Sequence, residues 1–193
     1  TCAVGAQSGP CTTSYTPTAL ADGSYTFSVT VRDAAGNQST ATRPFSVDTT
    51  GPTANIMTGP NGPTSDSTPT FGFTTAGAPT TITCSVGGQS APCTTTYTPA
   101  NPLADGSYTF TITLTDALGN VGTATRPFSV DTTGPTANIM TGPNGPTSDR
   151  TPTFGFTTAG APVTITCAVG QQSAPCTTTY TPANPLADGS YTF

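Results

Sequence analysis

The sequence predicts an all-β chain made of tandem β-sandwich repeats, about seven strands each, with one local hairpin disulfide per repeat. Three observations predict this. The segment Ala-Asp-Gly-Ser-Tyr-Thr-Phe begins at Ala21, Ala104 and Ala187, at intervals of 83 residues. That period is too long for a solenoid coil and suits a small autonomous β domain. Apolar residues and Thr alternate strictly over 108–116, the pattern of a strand with one buried and one wet face. The six Cys fall into three evenly spaced pairs, Cys2/Cys11, Cys84/Cys93 and Cys167/Cys176.

The repeat divides the chain into residues 1–50, the C-terminal part of one copy; 51–133, a complete copy; and 134–193, the N-terminal part of a third. The first copy is one residue shorter, with Pro17-Thr18-Ala19-Leu20 where Pro99-Ala100-Asn101-Pro102-Leu103 stands later. Thr1 is equivalent to Thr83 and Phe193 to Phe110, so the chain reads as a window on a longer array.

In the complete copy the first strand is expected over Thr53–Thr58, followed by 70–75 with Phe71 and Phe73 on one face. A third, 80–86, puts Ile82, Cys84 and Val86 on one face. A turn over 87–92 leads to a strand at 93–98. The clusters Gly59-Pro60-Asn61-Gly62-Pro63 and Ala76-Gly77-Ala78-Pro79 punctuate these strands. The alternating strand 108–116 then turns at Ala117-Leu118-Gly119-Asn120 and returns over 123–131. Pro127 has no N–H to give a ladder, so an edge or a bulge is expected there. Six or seven short strands with turn signals at this spacing read as a sandwich.

Composition removes several functional classes. Only 7% of the residues are charged: the cations are Arg32, Arg43, Arg126 and Arg150, and all nine anions are Asp. Disorder needs high charge with low hydrophobicity, which this is not. No apolar run approaches the roughly 18 residues of a membrane span. A net charge of −5 with four Arg leaves no basic stripe for nucleic acid. Without His, zinc would require paired C-x-x-C spacing, which is absent. Three disulfides and an oxidising compartment remain, hence a secreted or cell-surface location. His, Glu and Lys are all missing, so the usual general bases are absent, the Cys are committed, and no enzyme is read here.

The order Asp-Thr-Thr-Gly-Pro-Thr, Thr-Pro-Thr-Phe-x-Phe, Cys-Ser-Val-x-Gly, Ala-Pro-Cys-Thr, Leu-Ala-Asp-Gly-Ser-Tyr-Thr-Phe and Asp-Ala-x-Gly-Asn resembles the bacterial Ig-like repeats of large extracellular proteins. The resemblance spans the chain. It implies seven-stranded immunoglobulin-like sandwiches strung end to end in adhesins, stalks or surface filaments. Leu103-Ala-Asp105-Gly-Ser-Tyr108 resembles the tyrosine corner of such sandwiches, with Phe110 where antibody domains carry a Cys. Some members of the family with related linkers bind calcium between domains.

The candidate metal residues follow from that topology. Asp48 ends one copy and should approach Asp116 and Asn120 in the hairpin turn of the next, and Asp131 is the counterpart of Asp48. Converging oxygens there would suit calcium, which takes about six to eight. The alternative is that Asp116 and Asn120 cap their own turn while Asp48 organises the linker. Asp22, Asp105 and Asp188 precede Gly and read as corner-turn residues. Asn37-Gln38-Ser39 matches an N-glycosylation sequon but falls in a turn. About a quarter of the chain is Thr, which fits β-propensity on solvated faces, O-glycosylation, or contact with neighbouring arrays.

The leading functional expectation is a structural and adhesive extracellular repeat, a spacer or stalk forming a rod or filament, with neighbouring repeats as its partners. One alternative is a recognition module that binds a host or surface ligand, glycan or protein, through its loops. The other is polymerisation by strand exchange, since 1–50 supplies the half that 134–193 lacks.

Overall fold

The computed structural model describes residues 1–193, and every element in it is a β-strand. No helix is long and apolar enough to cross a membrane. The chain forms two compact units, Thr1–Asp131 and Thr132–Phe193.

The first unit opens with strands β1 (Cys2–Val4), β2 (Gln7–Gly9), β3 (Gly23–Arg32) and β4 (Gln38–Val47), joined in one antiparallel sheet in the order β2-β1-β3-β4. A complete sandwich follows: β5 (Thr53–Thr58), β6 (Pro63–Thr64), β7 (Phe71–Ala76), β8 (Thr81–Val86), β9 (Gln89–Pro92), β10 (Thr96–Tyr97), β11 (Gly106–Thr115) and β12 (Val121–Val130). Three of these make the sheet β10-β7-β5, and five make β6-β12-β11-β8-β9.

Alternation places the inner face of the large sheet on Cys84, Val86, Phe110, Ile112, Leu114, Phe128 and Val130, all buried against Phe71, Phe73 and Tyr97 of the small one. Phe110 is at the centre of this core. Its ring stacks on Phe71 at 4.1 Å between centroids and on Tyr97 at 5.7 Å.

The second unit contains β13 (Thr136–Thr141), β14 (Phe154–Ala159), β15 (Thr166–Val169), β16 (Gln172–Pro175) and β17 (Thr179–Tyr180), in sheets β13-β14-β17 and β15-β16. Phe193 stacks on Phe154 at 4.4 Å and on Tyr180 at 5.8 Å.

All six Cys are paired, Cys2 with Cys11, Cys84 with Cys93 and Cys167 with Cys176, each pair nine residues apart. The two halves of each bridge differ. Cys2, Cys84 and Cys167 lie in β1, β8 and β15 and are buried. Cys11, Cys93 and Cys176 lie outside any strand, past the ends of β2, β9 and β16, and are half-buried. Each bridge therefore ties a core strand to the chain leaving its own hairpin.

Three details depart from the expected elements. The 87–92 stretch is mostly strand, because Gly87 and Gly88 both adopt positive φ (57° and 77°) and make a two-residue turn; β9 begins directly after them. The 93–98 strand shrinks to Thr96–Tyr97. Cys93 N–H donates instead to Ile82 O at 3.1 Å, and Cys176 N–H to Ile165 O at 3.2 Å in the third copy. Strand β6, which pairs in parallel with Ser129 and Val130, has no sequence signal. Pro127 does lie on an edge register. Ser129 and Asp131 donate outward to Gly62 O and Thr64 O, and Pro127, two residues before Ser129, falls beyond the end of β6.

Arg126 of β12 latches the two sheets of the complete repeat. Its guanidinium donates to the carbonyls of Ile56 and, at 3.2 Å, of Gly59, flanking the bulge that interrupts β5 between Ile56 and Thr58. The same bulge recurs in β13, between Ile139 and Thr141.

Residues 1–50 hold no counterparts of β5 and β7. Their sheet therefore leaves Val31 59% and Phe45 39% exposed, where the equivalent Leu114 and Phe128 are 0% and 4% exposed.

Candidate functional site: the joint between two repeats

The linker Asp48-Thr49-Thr50-Gly51-Pro52 runs from β4 into the next repeat and is held from both sides. On the preceding side, the Tyr25 hydroxyl donates to Ala21 O at 2.9 Å and fixes the corner before β3. The adjacent Asp22 then clamps the linker. Its Oδ1 accepts the Thr49 N–H at 2.9 Å and the Thr49 hydroxyl at 2.7 Å, and its Oδ2 accepts the Thr50 hydroxyl at 2.5 Å. These donors, the Thr50 hydroxyl first, hold the Asp22 carboxyl below the usual carboxylate range. Asp48 Oδ1 accepts the Thr50 N–H at 3.1 Å.

On the following side stands the β11–β12 turn. Asp116 organises it as an Asx residue does. Its Oδ1 accepts the N–H groups of Leu118 and Asn120, each at 2.9 Å, and its Oδ2 accepts the Asn120 side-chain amide at 2.9 Å. The same donors, led by the Asn120 amide, lower the Asp116 pKa. The second hydrogen of that amide goes to the backbone carbonyl of Asp48 at 3.0 Å, so the turn grips the linker.

Backbone meets backbone beside this bond. A Cβ added to Gly51 would overlap the carbonyl oxygen of Val121, and one added to Gly122 would overlap that of Pro52. Pro52 in turn rests on Gly77, where a Cβ would lie 2.9 Å from the proline Cα.

Of the four residues considered for a metal, Asp48, Asp116 and Asn120 come together here. Asp131 directly follows β12, its N–H bound to Thr64 O at 2.9 Å. The arrangement does not fit calcium. No three acidic, His or Cys side chains converge anywhere, the Asp116 oxygens already accept N–H donors, and Asn120 presents its NH2 rather than its oxygen. The joint is a node of hydrogen bonds. The disulfides take no part in it: Cys2–Cys11, Cys84–Cys93 and Cys167–Cys176 each close a hairpin inside one repeat.

Asp22 is more than a corner residue, which sequence reasoning missed. The signal was a fixed spacing, because Asp22 precedes Thr49 by the same 27 residues that separate Asp105 from Thr132. The sequon residue Asn37 stands in the equivalent turn of the first repeat, where its side-chain amide donates to Asp33 Oδ2 at 2.8 Å. Some of the abundant Thr residues make hydroxyl pairs, Thr30–Thr40 at 3.0 Å, and Thr70–Thr98 and Thr153–Thr181 at 2.7 Å. Thr30 and Thr40 face each other directly across β3 and β4.

The family model described as "Bacterial Ig-like domain" matches residues 3–49 and 57–132. The chain is also similar to Chitinase A1 of Niallia circulans, at 36% identity over 127 residues and 60% of this chain. The match spans 18% of that protein's length.

Proposed function

Because this chain belongs to the bacterial Ig-like domain family, we propose that it serves as a non-catalytic extracellular spacer, a stalk of stiffly jointed repeats that carries other parts of its protein away from an anchoring point. The carrying observation is the joint. Asp22 immobilises Thr49 and Thr50 from one repeat, and Asn120 holds the Asp48 carbonyl from the next. A binding module needs no such two-sided clamp on its linker, whereas a stalk gains reach from it. The local disulfide in each repeat suits an oxidising exterior. A domain of this kind adds roughly 35 Å where strands of about ten residues set its height.

Nothing of the chitinase's named activity is carried over, since the shared segment is 18% of that protein. The stretches 59–67 and 87–92 contain no aromatic side chain for stacking on sugar, which weighs against direct glycan recognition.

A glycan array probed with the 193-residue polypeptide tests the proposal, together with interdomain NMR couplings measured across Thr1–Asp131. Absence of saturable glycan binding, with one common orientation for residues 1–47 and 53–130, supports a spacer. Saturable, sugar-specific binding or independently tumbling repeats overturns it.

A further inference from the structure

The two hairpin turns of the first unit differ in a way that bears on what each can receive. The turn over 33–37 and the turn over 116–120 are built alike. Asp33 N–H donates to Asn37 O at 3.0 Å and Asp116 N–H to Asn120 O at 3.1 Å. Asn37 N–H reaches Asp33 Oδ1 at 2.9 Å, as Asn120 N–H reaches Asp116 Oδ1. Both Asn side chains donate to the second Asp oxygen, at 2.8 and 2.9 Å. The frames coincide, yet two residues after the Asn stand Ser39 in one turn and Gly122 in the other. Both occupy the same ladder position, opposite Val31 and Leu114 respectively.

Gly122, in β12 just past the turn, packs against Pro52, the last linker residue, which is fully buried in the complete repeat. A Cβ there would overlap the Pro52 carbonyl oxygen and lie 2.9 Å from its carbon, well inside the roughly 3.5 Å of an ordinary contact. Neither partner can yield easily. Pro52 is backed by Gly77 on its other side, and Gly122 is fixed in the β11–β12 ladder.

We infer that the residue two places after the turn Asn decides whether a repeat can receive a preceding linker. Gly122 makes the β11–β12 turn a docking site for an Asp-Thr-Thr-Gly-Pro segment, and Ser39 closes the β3–β4 turn to that segment in the same placement. The partner is defined by chemistry: a Gly-Pro dipeptide whose proline carbonyl lies flat on the turn, preceded by a free carbonyl for the Asn amide. An array that mixes the two turn types therefore contains docked joints and undocked ones, written by a single position. This rests on the stalk reading but concerns one joint at a time.

The experiment places Gly122→Ser in the 193-residue chain. Ser39 shows that the turn itself folds with Ser at this position, and Gly122→Ala serves as a second variant with the smaller side chain. Residual dipolar couplings are fitted separately for residues 1–47 and 53–130, and exchange of the Asn120 side-chain amide is followed. One alignment tensor is expected to fit both segments in the parent and to split in two in both variants, with loss of amide protection and unchanged couplings within 53–130. Ser39→Gly, at the matching position of the β3–β4 turn, is the control and should leave the single tensor intact.

A single tensor retained in Gly122→Ser and Gly122→Ala overturns the inference while leaving the stalk standing. A split caused equally by Ser39→Gly also overturns it, since the effect would then come from turn stiffness. Two tensors already present in the parent would instead remove the docked joint, and with it the stalk reading.

Discussion

The side-chain amide of Asn120 donates to the backbone carbonyl of Asp48 at 3.0 Å, across 72 residues of sequence. It does so while its other contact, to the Asp116 carboxylate, keeps the amide facing that way. One residue therefore both completes a hairpin turn and fastens the neighbouring repeat.

Replacing Asn120 by Ala should remove both bonds and destabilise the first unit by about 1–2 kcal/mol, on the scale of two exposed or half-buried hydrogen bonds. Asn120→Asp should cost more, because it sets a carboxylate against the Asp48 carbonyl and the Asp116 carboxylate. Denaturant midpoints of the two variants measure the order, and an Asp variant as stable as the parent contradicts the geometry.

The charge chemistry predicts an unusual pH profile. Asp22, Asp33 and Asp116 are all lowered from 3.8, Asp22 chiefly by the Thr50 hydroxyl and the other two chiefly by an Asn side-chain amide. A carboxyl whose folded pKa lies below its unfolded one contributes stability that is fully present above the unfolded value. That contribution is lost as pH falls from there through the folded pKa. The chain has no His, Glu or Lys, so no side chain titrates between about pH 5 and 8. Thermal stability should be flat across that range and fall below about pH 4, and Asp22→Asn should flatten part of the acid limb.

Calcium should leave the chain unmoved. Cation and N–H donors would compete for the same Asp116 lone pairs, and Asn120 turns its NH2 rather than its oxygen toward the Asp48 carbonyl. Equal melting temperatures in chelator and in millimolar calcium are expected. A calcium-dependent rise that disappears in Asp116→Asn would show that the donors are displaced.

The sandwich was readable because its signals are local. Strict alternation over 108–116 marks β11, and the Tyr108 corner marks its start, where the hydroxyl donates to Ala104 O at 2.9 Å. The even Cys spacing likewise marks the hairpins that Cys2–Cys11, Cys84–Cys93 and Cys167–Cys176 close. The joint was only partly readable. Asp48, Asp116 and Asn120 were placed together by topology, but their chemistry depends on which way an amide points, and no spacing encodes that. Asp22 and Gly122 were missed because what they touch, Thr49–Thr50 and Pro52, is remote in sequence. Strand β6 escaped for the same reason, since a two-residue pairing in parallel with β12 leaves no periodicity.

Reducing the Cys84–Cys93 disulfide should destabilise the complete repeat by about 3 kcal/mol, the loop-closure entropy of a ring of about ten residues. Domains of this size are only marginally stable, so the loss is a large share of the total. Scanning calorimetry with and without reductant measures it.

The aromatic core offers a comparison within one chain. Phe110 is fully buried between Phe71 and Tyr97, whereas its counterpart Phe27 is half-buried, its ring 6.4 Å from Tyr15. Phe110→Ala should cost about 3–5 kcal/mol, the transfer of the ring plus the cavity it leaves in a packed core. Phe27→Ala removes the same atoms from a site already open to solvent, so no closed cavity forms and less apolar surface returns to water. Its cost should be well under half as large. Urea unfolding of the two variants checks this. Equal losses would mean that the exposed face of β3 is covered in solution.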